Sequence, residues 1–173
     1  MSYFLESERL YFRDIQESDI NENYYAWMND SEINQNMETW FWPHSVENIY
    51  NYWTEHHEKR DEPWFAICLK ETNEHIGNIK LGPINWIHRF ADISLFIGKK
   101  DLWGQGLGTE AIQLISYYGL KMLNLHKVKS GIYATNQGSL QAFLNAGFEV
   151  ESIFKQHYWH DGQYVDCYIV SKT

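Results

Sequence analysis

A glycine-rich loop between a strand pattern and a helix pattern most strongly limits what this chain of 173 residues can fold into. The loop is Leu-Trp-Gly-Gln-Gly-Leu-Gly-Thr-Glu-Ala, residues 102–111. Residues 93–97 alternate like a buried or half-buried strand, and apolar residues after the loop recur on one helical face as far as Met122. Glycine lacks a Cβ, and the first N–H groups of a helix have no intrahelical partner, so this turn predicts an anion site, most often for phosphate. An ordinary glycine turn that opens a core helix is the alternative.

The spacing of the glycines excludes two common phosphate motifs. A P-loop needs Lys followed by Ser or Thr after its last glycine, where this chain has Thr109 and Glu110. A dinucleotide-binding loop needs G-x-G-x-x-G near the start of its βαβ unit. Here the spacing is G-x-G-x-G, far into the chain.

The loop resembles motif A of the GNAT acyltransferases, Arg/Gln-x-x-Gly-x-Gly/Ala, with Gly106 and Gly108 as its glycines. Its form Trp-Gly-x-Gly-x-x-Thr-Glu-Ala is similar to the branch of ribosomal-protein N-terminal and spermidine acetyltransferases, although Trp103 stands where many members have Arg or Gln. In that family the loop wraps the pyrophosphate of acetyl-CoA. The resemblance therefore implies acetyl-CoA as the acetyl donor, held by Trp103, Gly104, Gln105, Gly106, Leu107, Gly108 and Thr109.

The remaining patterns predict a single domain, residues 1–173, in the element order β-α-α-β-β-β-α-β-α-β-β. This order predicts an α/β fold with a mixed sheet and helices on both faces. The GNAT resemblance implies a mostly antiparallel sheet with one parallel strand pair that splays apart around the pantetheine arm. The predicted strands are Leu10–Arg13, Trp64–Leu69, Ile76–Leu81, Ala91–Ile97, His126–Ala134, Ile153–Trp159 and Tyr164–Val170. The predicted helices are Ser18 or Asp19 to Met28, Val46 to Trp53 after a Ser45 cap, Leu107 to about Leu123, and Leu140–Asn145.

Composition narrows the possible partners. The formal net charge of -9 argues against a nucleic acid, which needs a basic surface, and favours a cationic substrate, although it also simply confers solubility. The chain has no run of about 18 apolar residues and no signal-peptide pattern, so we expect a cytoplasmic protein without a membrane partner. Cys68 and Cys167 lack the spacing of metal ligands and are predicted to be buried thiols, with no metal site.

The resemblance also implies site residues outside the loop. Asn136, followed by Ser139 and later by Gly-Phe, is similar to the family position whose side chain bonds the pantetheine arm. The family register makes the backbone N–H of Phe96 the candidate donor to the reacting carbonyl oxygen, give or take one residue, with Ile97 and Gly98 next along the arm.

Acetyl transfer to an amine requires a base that takes the amine's proton. Asp92, four residues before Phe96 on the same strand face, resembles in position the Glu of several GNAT enzymes and is the predicted base. Because Asp is shorter than Glu, we expect it to act through a bridging water. A purely structural pairing at a strand start is the alternative for Asp92. His88 and Glu110 are weaker candidates.

The leaving thiolate can use a proton donor, and here the chain departs from the family. Phe143 occupies the position of the usual Tyr and has no proton to give. The resemblance to the ribosomal-protein branch, where a Ser takes a comparable role, implies Ser139 as the substitute, unless it only caps a helix beginning at Leu140. Tyr158 on the C-terminal hairpin is a further candidate that no pattern in the sequence brings to the site.

The sequence thus predicts an acetyl-CoA-dependent N-acetyltransferase acting on a small-molecule amine, such as a nucleotide-linked amino sugar or a polyamine. A protein N-terminal acetyltransferase and a catalytically degenerate acyl-CoA-binding module stay open as alternatives. Aromatic residues on predicted strands would also suit a homodimer.

Overall fold

An eight-stranded sheet organises the chain, and its strands follow the order β1-β2-β3-β4-β5-β6-β8-β7. The structure, a computed structural model, describes residues 2–173. Only β5 and β6 pair in parallel, and every other neighbouring pair is antiparallel, which confirms the predicted fold class. The strands are β1 (Leu5–Glu6), β2 (Leu10–Asp14), β3 (Trp64–Leu69), β4 (His75–Leu81), β5 (Phe90–Ile97), β6 (Lys127–Tyr133), β7 (Glu149–His160) and β8 (Gln163–Lys172).

Helices cover both faces of the sheet because the strand side chains alternate between two apolar cores. In β3, Phe65 and Ile67 belong to the core beneath α4 and α5, whereas Ala66 and Cys68 belong to the core beneath α1 and α3. The helices are α1 (Glu22–Met28), α2 (Ser31–Asn34), α3 (Val46–His56), α4 (Leu107–Tyr117) and α5 (Gln137–Asn145). Among residues 2–173, no helix is both long and apolar enough to cross a membrane.

The first predicted helix starts later than expected. Asp19 was a predicted cap, but its carboxylate accepts hydrogen bonds from the Arg13 guanidinium at 2.7 and 2.8 Å. The cap of α1 is instead Asn21, whose side chain accepts from the N–H groups of Asn23 and Tyr24. The Asp19 carboxylate is thus bound in an ion pair, and the helix begins after Asn21 instead. The sequence contains no pattern strong enough to predict the short elements β1 and α2.

The helix after the glycine loop ends in two stages. Regular α-helix stops at Tyr117, and one wider π turn continues from Tyr118 to Met122. Asn124 follows with a φ of 54°, the left-handed conformation predicted for it.

The C-terminal hairpin confirms the Asp-Gly turn and extends beyond the predicted strands. Asp161 and Gly162 have φ values of 47° and 79°, as a tight hairpin turn requires.

Cys68 and Cys167 are free and buried, as predicted.

Candidate active site

Two of the three loop glycines are required by the backbone. Gly104 and Gly106 have φ values of 75° and 80°, in the left-handed region that other residues rarely adopt. Gly106 is also the N-cap residue of α4 and offers no side chain to its first N–H groups. The turn therefore brings bare backbone to the start of the helix.

Gly108 has a different reason to be glycine. It lies in the first turn of α4 without a left-handed φ, and a Cβ built on it would meet no atom within 4 Å. Within residues 2–173, the N–H groups of Gly106, Gly108 and Thr109 have no acceptor. The open space and the free N–H groups at the positive end of the helix fit an anionic phosphate group.

Arg9 ties the glycine loop to the start of β2. Its guanidinium donates to the backbone oxygen of Gln105 at 2.9 Å and to Glu110 Oε2 at 2.7 Å. Glu110 Oε1 accepts from the backbone N–H of Arg9 at 2.7 Å and from the Ser7 hydroxyl at 2.8 Å. Burial alone raises the pKa of Glu110, but these hydrogen bonds outweigh it and hold the pKa below its ordinary value. Glu110 thus supports the loop, and its weaker candidacy as the base stays a prediction.

A surface cleft of about 430 Å³ opens beside this support. Its lining comes from the N-terminal segment, the first turns of α4 and the end of α5: Ser7, Glu8, Arg9, Gly106, Thr109, Glu110, Gln113 and Asn145. Leu107 is buried in the core, so only its backbone faces this region. The Trp103 indole is half exposed and donates to the Ile97 backbone oxygen at 2.8 Å.

The parallel strands β5 and β6 part after three residue pairs. Their register runs from Phe90 opposite Lys127 to Asp92 opposite Lys129, although β5 continues to Ile97 and β6 to Tyr133. At the point of parting, the Ser130 hydroxyl donates to the Ile93 backbone oxygen at 2.9 Å. This arrangement produces the predicted gap between the two strands, next to the glycine loop that follows β5.

The hydrogen-bond pattern of β5 changes which N–H groups face the gap. The Gly98 N–H donates to the Ile76 oxygen at 2.7 Å, and the Asp92 oxygen accepts from the Gly82 N–H at 2.8 Å. Alternate residues of a strand direct their backbone groups to opposite neighbours, so the N–H of Phe96, like that of Gly98, points towards β4. The Phe96 N–H therefore does not face the gap, and the N–H groups that do, those of Leu95 and Ile97, lie within the one-residue margin of the predicted donor.

Asp92 lies at the paired end of the gap. Lys129 Nζ donates to both of its carboxylate oxygens, at 2.7 and 2.9 Å. Phe96 is four positions after Asp92 along the strand, which places their Cα atoms about 13 Å apart. His88, the weaker candidate, precedes β5 and lies at its far end from the glycine loop.

The segment after β6 corrects the predicted cap. Helix α5 begins at Gln137, and the side chain of Asn136 caps it by accepting from the Ser139 N–H at 3.1 Å. The Ser139 hydroxyl is not the cap and has no partner within residues 2–173. Phe143 is only 1% exposed and packs edge-on against Phe148, so its side chain belongs to the core.

Sequence reasoning missed most of the side chains that approach the gap from the α1 face. Tyr133 and Tyr158 stack with ring centroids 4.3 Å apart. Burial, and then the charge of the nearby Glu38, raise the pKa of Tyr133 above its ordinary value. The tyrosines of the C-terminal hairpin were the only sequence signal for this cluster, because Glu38 comes from a distant segment between α2 and α3.

The family described as "Acetyltransferase (GNAT) domain" matches residues 9–149. The chain belongs to the GNAT acetyltransferase family. This confirms the predicted family and, at the level of the family, the prediction of an N-acetyltransferase domain.

Relatives across this GNAT family include proteins with and without a stated substrate. The uncharacterized N-acetyltransferase YoaA of Bacillus subtilis is 27% identical over 171 residues, which cover 96% of this chain and 94% of YoaA. The spermidine N(1)-acetyltransferase of Vibrio cholerae is 27% identical over 122 residues, or 70% of this chain and 68% of the relative. The match to the uncharacterized N-acetyltransferase p20 of Bacillus licheniformis, 29% identical over 107 residues, spans 60% of that protein's length.

Solved structures agree in fold. The spermidine N-acetyltransferase from Vibrio cholerae in complex with CoA and spermine gives a TM-score of 0.83 at 23% identity, covering 94% of both chains. A GNAT-family acetyltransferase from Bacillus anthracis gives a TM-score of 0.84 at 21% identity, covering 97% of this chain and 96% of that one. At these identities the similarity concerns the fold.

Proposed function

We propose that this GNAT protein transfers the acetyl group of acetyl-CoA to a primary amine of a small cationic molecule, with a polyamine as the leading candidate. The open backbone at Gly108 carries the proposal, because neither packing nor φ requires glycine there. The free N–H groups at the start of α4 would hold the pyrophosphate, supported from behind by Arg9 and Glu110. Asn136 and the gap-facing backbone of β5 would hold the pantetheine arm.

Acetyl-CoA supplies an activated acetyl group, and the chain's residues assist its transfer. The N–H groups of Leu95 and Ile97 are directed into the gap, where they would stabilise the negative charge that develops on the carbonyl oxygen. Asp92 stays the proposed base, acting through water because of its distance along the strand. The free hydroxyl of Ser139 stays the sequence-based candidate for the proton donor.

Charge supports a polyamine over the other acceptors. The chain has a formal net charge of -9, and Glu38 lies near the tyrosine pair at the gap. Such a surface attracts a polycation and repels the phosphates of a nucleotide-linked amino sugar. The Vibrio cholerae relative named a spermidine acetyltransferase favours the same class. A protein N-terminus and a degenerate acyl-CoA-binding module are the alternatives that the experiment must separate.

The decisive experiment combines binding and turnover. Calorimetric titration of the purified protein with acetyl-CoA comes first, followed by a thiol-release assay with spermidine, spermine, a nucleotide-linked amino sugar and short peptides with free N-termini. We expect acetyl-CoA to bind and thiol release to be fastest with a polyamine. Release only with the amino sugar or the peptides would change the acceptor. Binding without release from any of them would favour the non-catalytic module.

A further inference from the structure

The Tyr158 hydroxyl lies directly against the part of β6 that has no β5 partner. A Cβ built on Gly131 would be 2.7 Å from the Tyr158 hydroxyl oxygen and 3.4 Å from Cys167 Sγ. Gly131 has no left-handed φ, so its backbone conformation would accept any residue. Close approach of the tyrosine hydroxyl is therefore what requires glycine at this position.

A bulge in β7 directs Tyr158 to this position. Between Phe154, opposite Cys167, and Tyr158, opposite Val165, β7 contains two more residues than β8. Asp166 holds the bulge by accepting from the Gln156 N–H and from Lys155 Nζ, both at 2.9 Å. Bulges of this kind redirect a side chain relative to the sheet. The same bulge lets the Tyr158 ring stack on Tyr133.

The register places the hydroxyl at the level of the gap. Continuing the parallel pairing beyond Asp92 and Lys129 brings Gly131 level with Ser94, next to the gap-facing Leu95. Asp92 and Lys129 bond to each other and so share a face, and side chains two residues further along each strand lie on that same face. The Tyr158 hydroxyl thus lies beside the gap on the face that also carries Asp92.

We propose that Tyr158 is the proton donor to the leaving CoA sulfur, in place of the family tyrosine that Phe143 replaces. This inference rests on the proposed acetyl transfer. The amine nitrogen bonds to the carbonyl carbon, and the carbon–sulfur bond breaks with its electron pair going to sulfur. Sulfur takes the phenolic proton, the proton that the amine loses passes to water, and Tyr158 recovers a proton from solvent.

The environment keeps the donor protonated. Burial, and then the neighbouring Cys167 thiol, raise the pKa of Tyr158 above its ordinary value. The hydroxyl therefore carries its proton throughout the neutral pH range. The buried Phe143 can neither reach the gap nor donate, and Ser139 is the competing donor.

The first test compares Tyr158→Phe with Tyr164→Phe, an exposed tyrosine on the same hairpin, and with Ser139→Ala. We expect Tyr158→Phe to lower kcat about 100-fold, the usual contribution of a general acid, with little change in KM for acetyl-CoA. Calorimetric titration with CoA from pH 7 to pH 10 adds a readout without turnover. Loss of the hydroxyl should weaken CoA binding increasingly as the bound thiol ionises, because a hydrogen bond to the thiolate is lost.

The second test uses Gly131→Ala alone and in the Tyr158→Phe background. The added methyl group should displace the hydroxyl, lowering both kcat and the melting temperature of the wild-type protein. Once the hydroxyl is gone the clash is relieved, so the same substitution should cost little further in either quantity. Equal effects in both backgrounds would show that the hydroxyl does not occupy this position, and would overturn the proposal.

The outcomes separate this inference from the proposed function. Suppose that the wild-type protein releases thiol and that Tyr158→Phe keeps both the wild-type kcat and the wild-type pH dependence of CoA affinity. That result would overturn the role of Tyr158 and leave the proposed function intact. A large loss confined to Ser139→Ala would do the same. If the wild-type protein binds CoA but releases no thiol with any amine, the proposed function fails. In that case, an unchanged pH dependence of CoA affinity in Tyr158→Phe would also show that the hydroxyl does not contact the sulfur.

Discussion

Gly108 differs from the two glycines before it in the reason for its presence. Gly104 and Gly106 are explained by their left-handed backbone, whereas Gly108 is explained only by the space it leaves open. The sequence places all three in one motif and cannot separate these reasons. We therefore expect a substitution at Gly106 to strain the backbone and a substitution at Gly108 to leave it unstrained.

Gly108→Val should therefore weaken acetyl-CoA binding without unfolding the chain. Loss of one backbone hydrogen bond to a charged phosphate costs about 2 kcal/mol, or about 30-fold in Kd. Calorimetric titration would measure this loss, and urea unfolding should show stability within about 1 kcal/mol of wild type. Gly106→Ala is the matched control and should lose about 1 kcal/mol of stability through left-handed strain. Unchanged Kd for Gly108→Val would contradict a phosphate site here.

The parting of β5 and β6 is the feature of the sheet that creates the site. Three parallel residue pairs hold the strands together. The Ser130 hydroxyl then donates to the Ile93 backbone oxygen, which a longer parallel ladder would pair with a backbone N–H of β6. The Asp92–Lys129 ion pair closes the paired end of the gap. Asp92 thus combines a proposed chemical role with an observed structural one.

Two variants separate these roles of Asp92. Asp92→Asn and Lys129→Met both break the ion pair, so a purely structural Asp92 would give similar losses of activity in both. If Asp92 is the base, Asp92→Asn should lower kcat about 100-fold while Lys129→Met retains most of it. Steady-state kinetics with the best acceptor, together with melting temperatures for both variants, would distinguish the two results.

At the scale of the whole molecule, a buried ionic group joins β2 and β4 beneath α1. Asp19 accepts from Arg13, and His75 Nδ1 lies 3.5 Å from its carboxylate. Burial alone raises the pKa of Asp19, but hydrogen bonds from Arg13, His75 and the Gln16 N–H outweigh it and hold the pKa far below its ordinary range. A lowered pKa in the folded state stabilises the protein above the unfolded value of about 3.9, and this stabilisation is lost as pH falls below it.

Asp19→Asn should consequently be destabilising at neutral pH and much less so in acid. Breaking a buried ion pair leaves Arg13 without its partner and should cost about 3 kcal/mol at pH 7. The difference from wild type should shrink as pH falls from about 4 towards 2. Urea unfolding across this range measures it, with Glu151→Gln, which removes an exposed pair with Lys127, as a control of small effect. A pH-independent difference would contradict the linkage.

The sequence by itself determined the order of the longer elements, the glycine turn, the family and the buried cysteines. These follow from local periodicity, from residues such as glycine whose conformational range is unusual, and from a motif of contiguous residues. Local patterns also placed Asn124 and the Asp-Gly hairpin turn correctly.

Tertiary structure alone decided which groups face the gap. The direction of the Leu95 and Ile97 N–H groups depends on the register with β4, and the position of the Tyr158 hydroxyl depends on a bulge held by Asp166. Asp19 failed as a cap because its carboxylate accepts from Arg13, six residues before it, and faces His75, which β4 brings to it only on folding. Hydrogen-bond direction and ion pairing are settled by neighbours that assemble only on folding, so no local pattern could predict them.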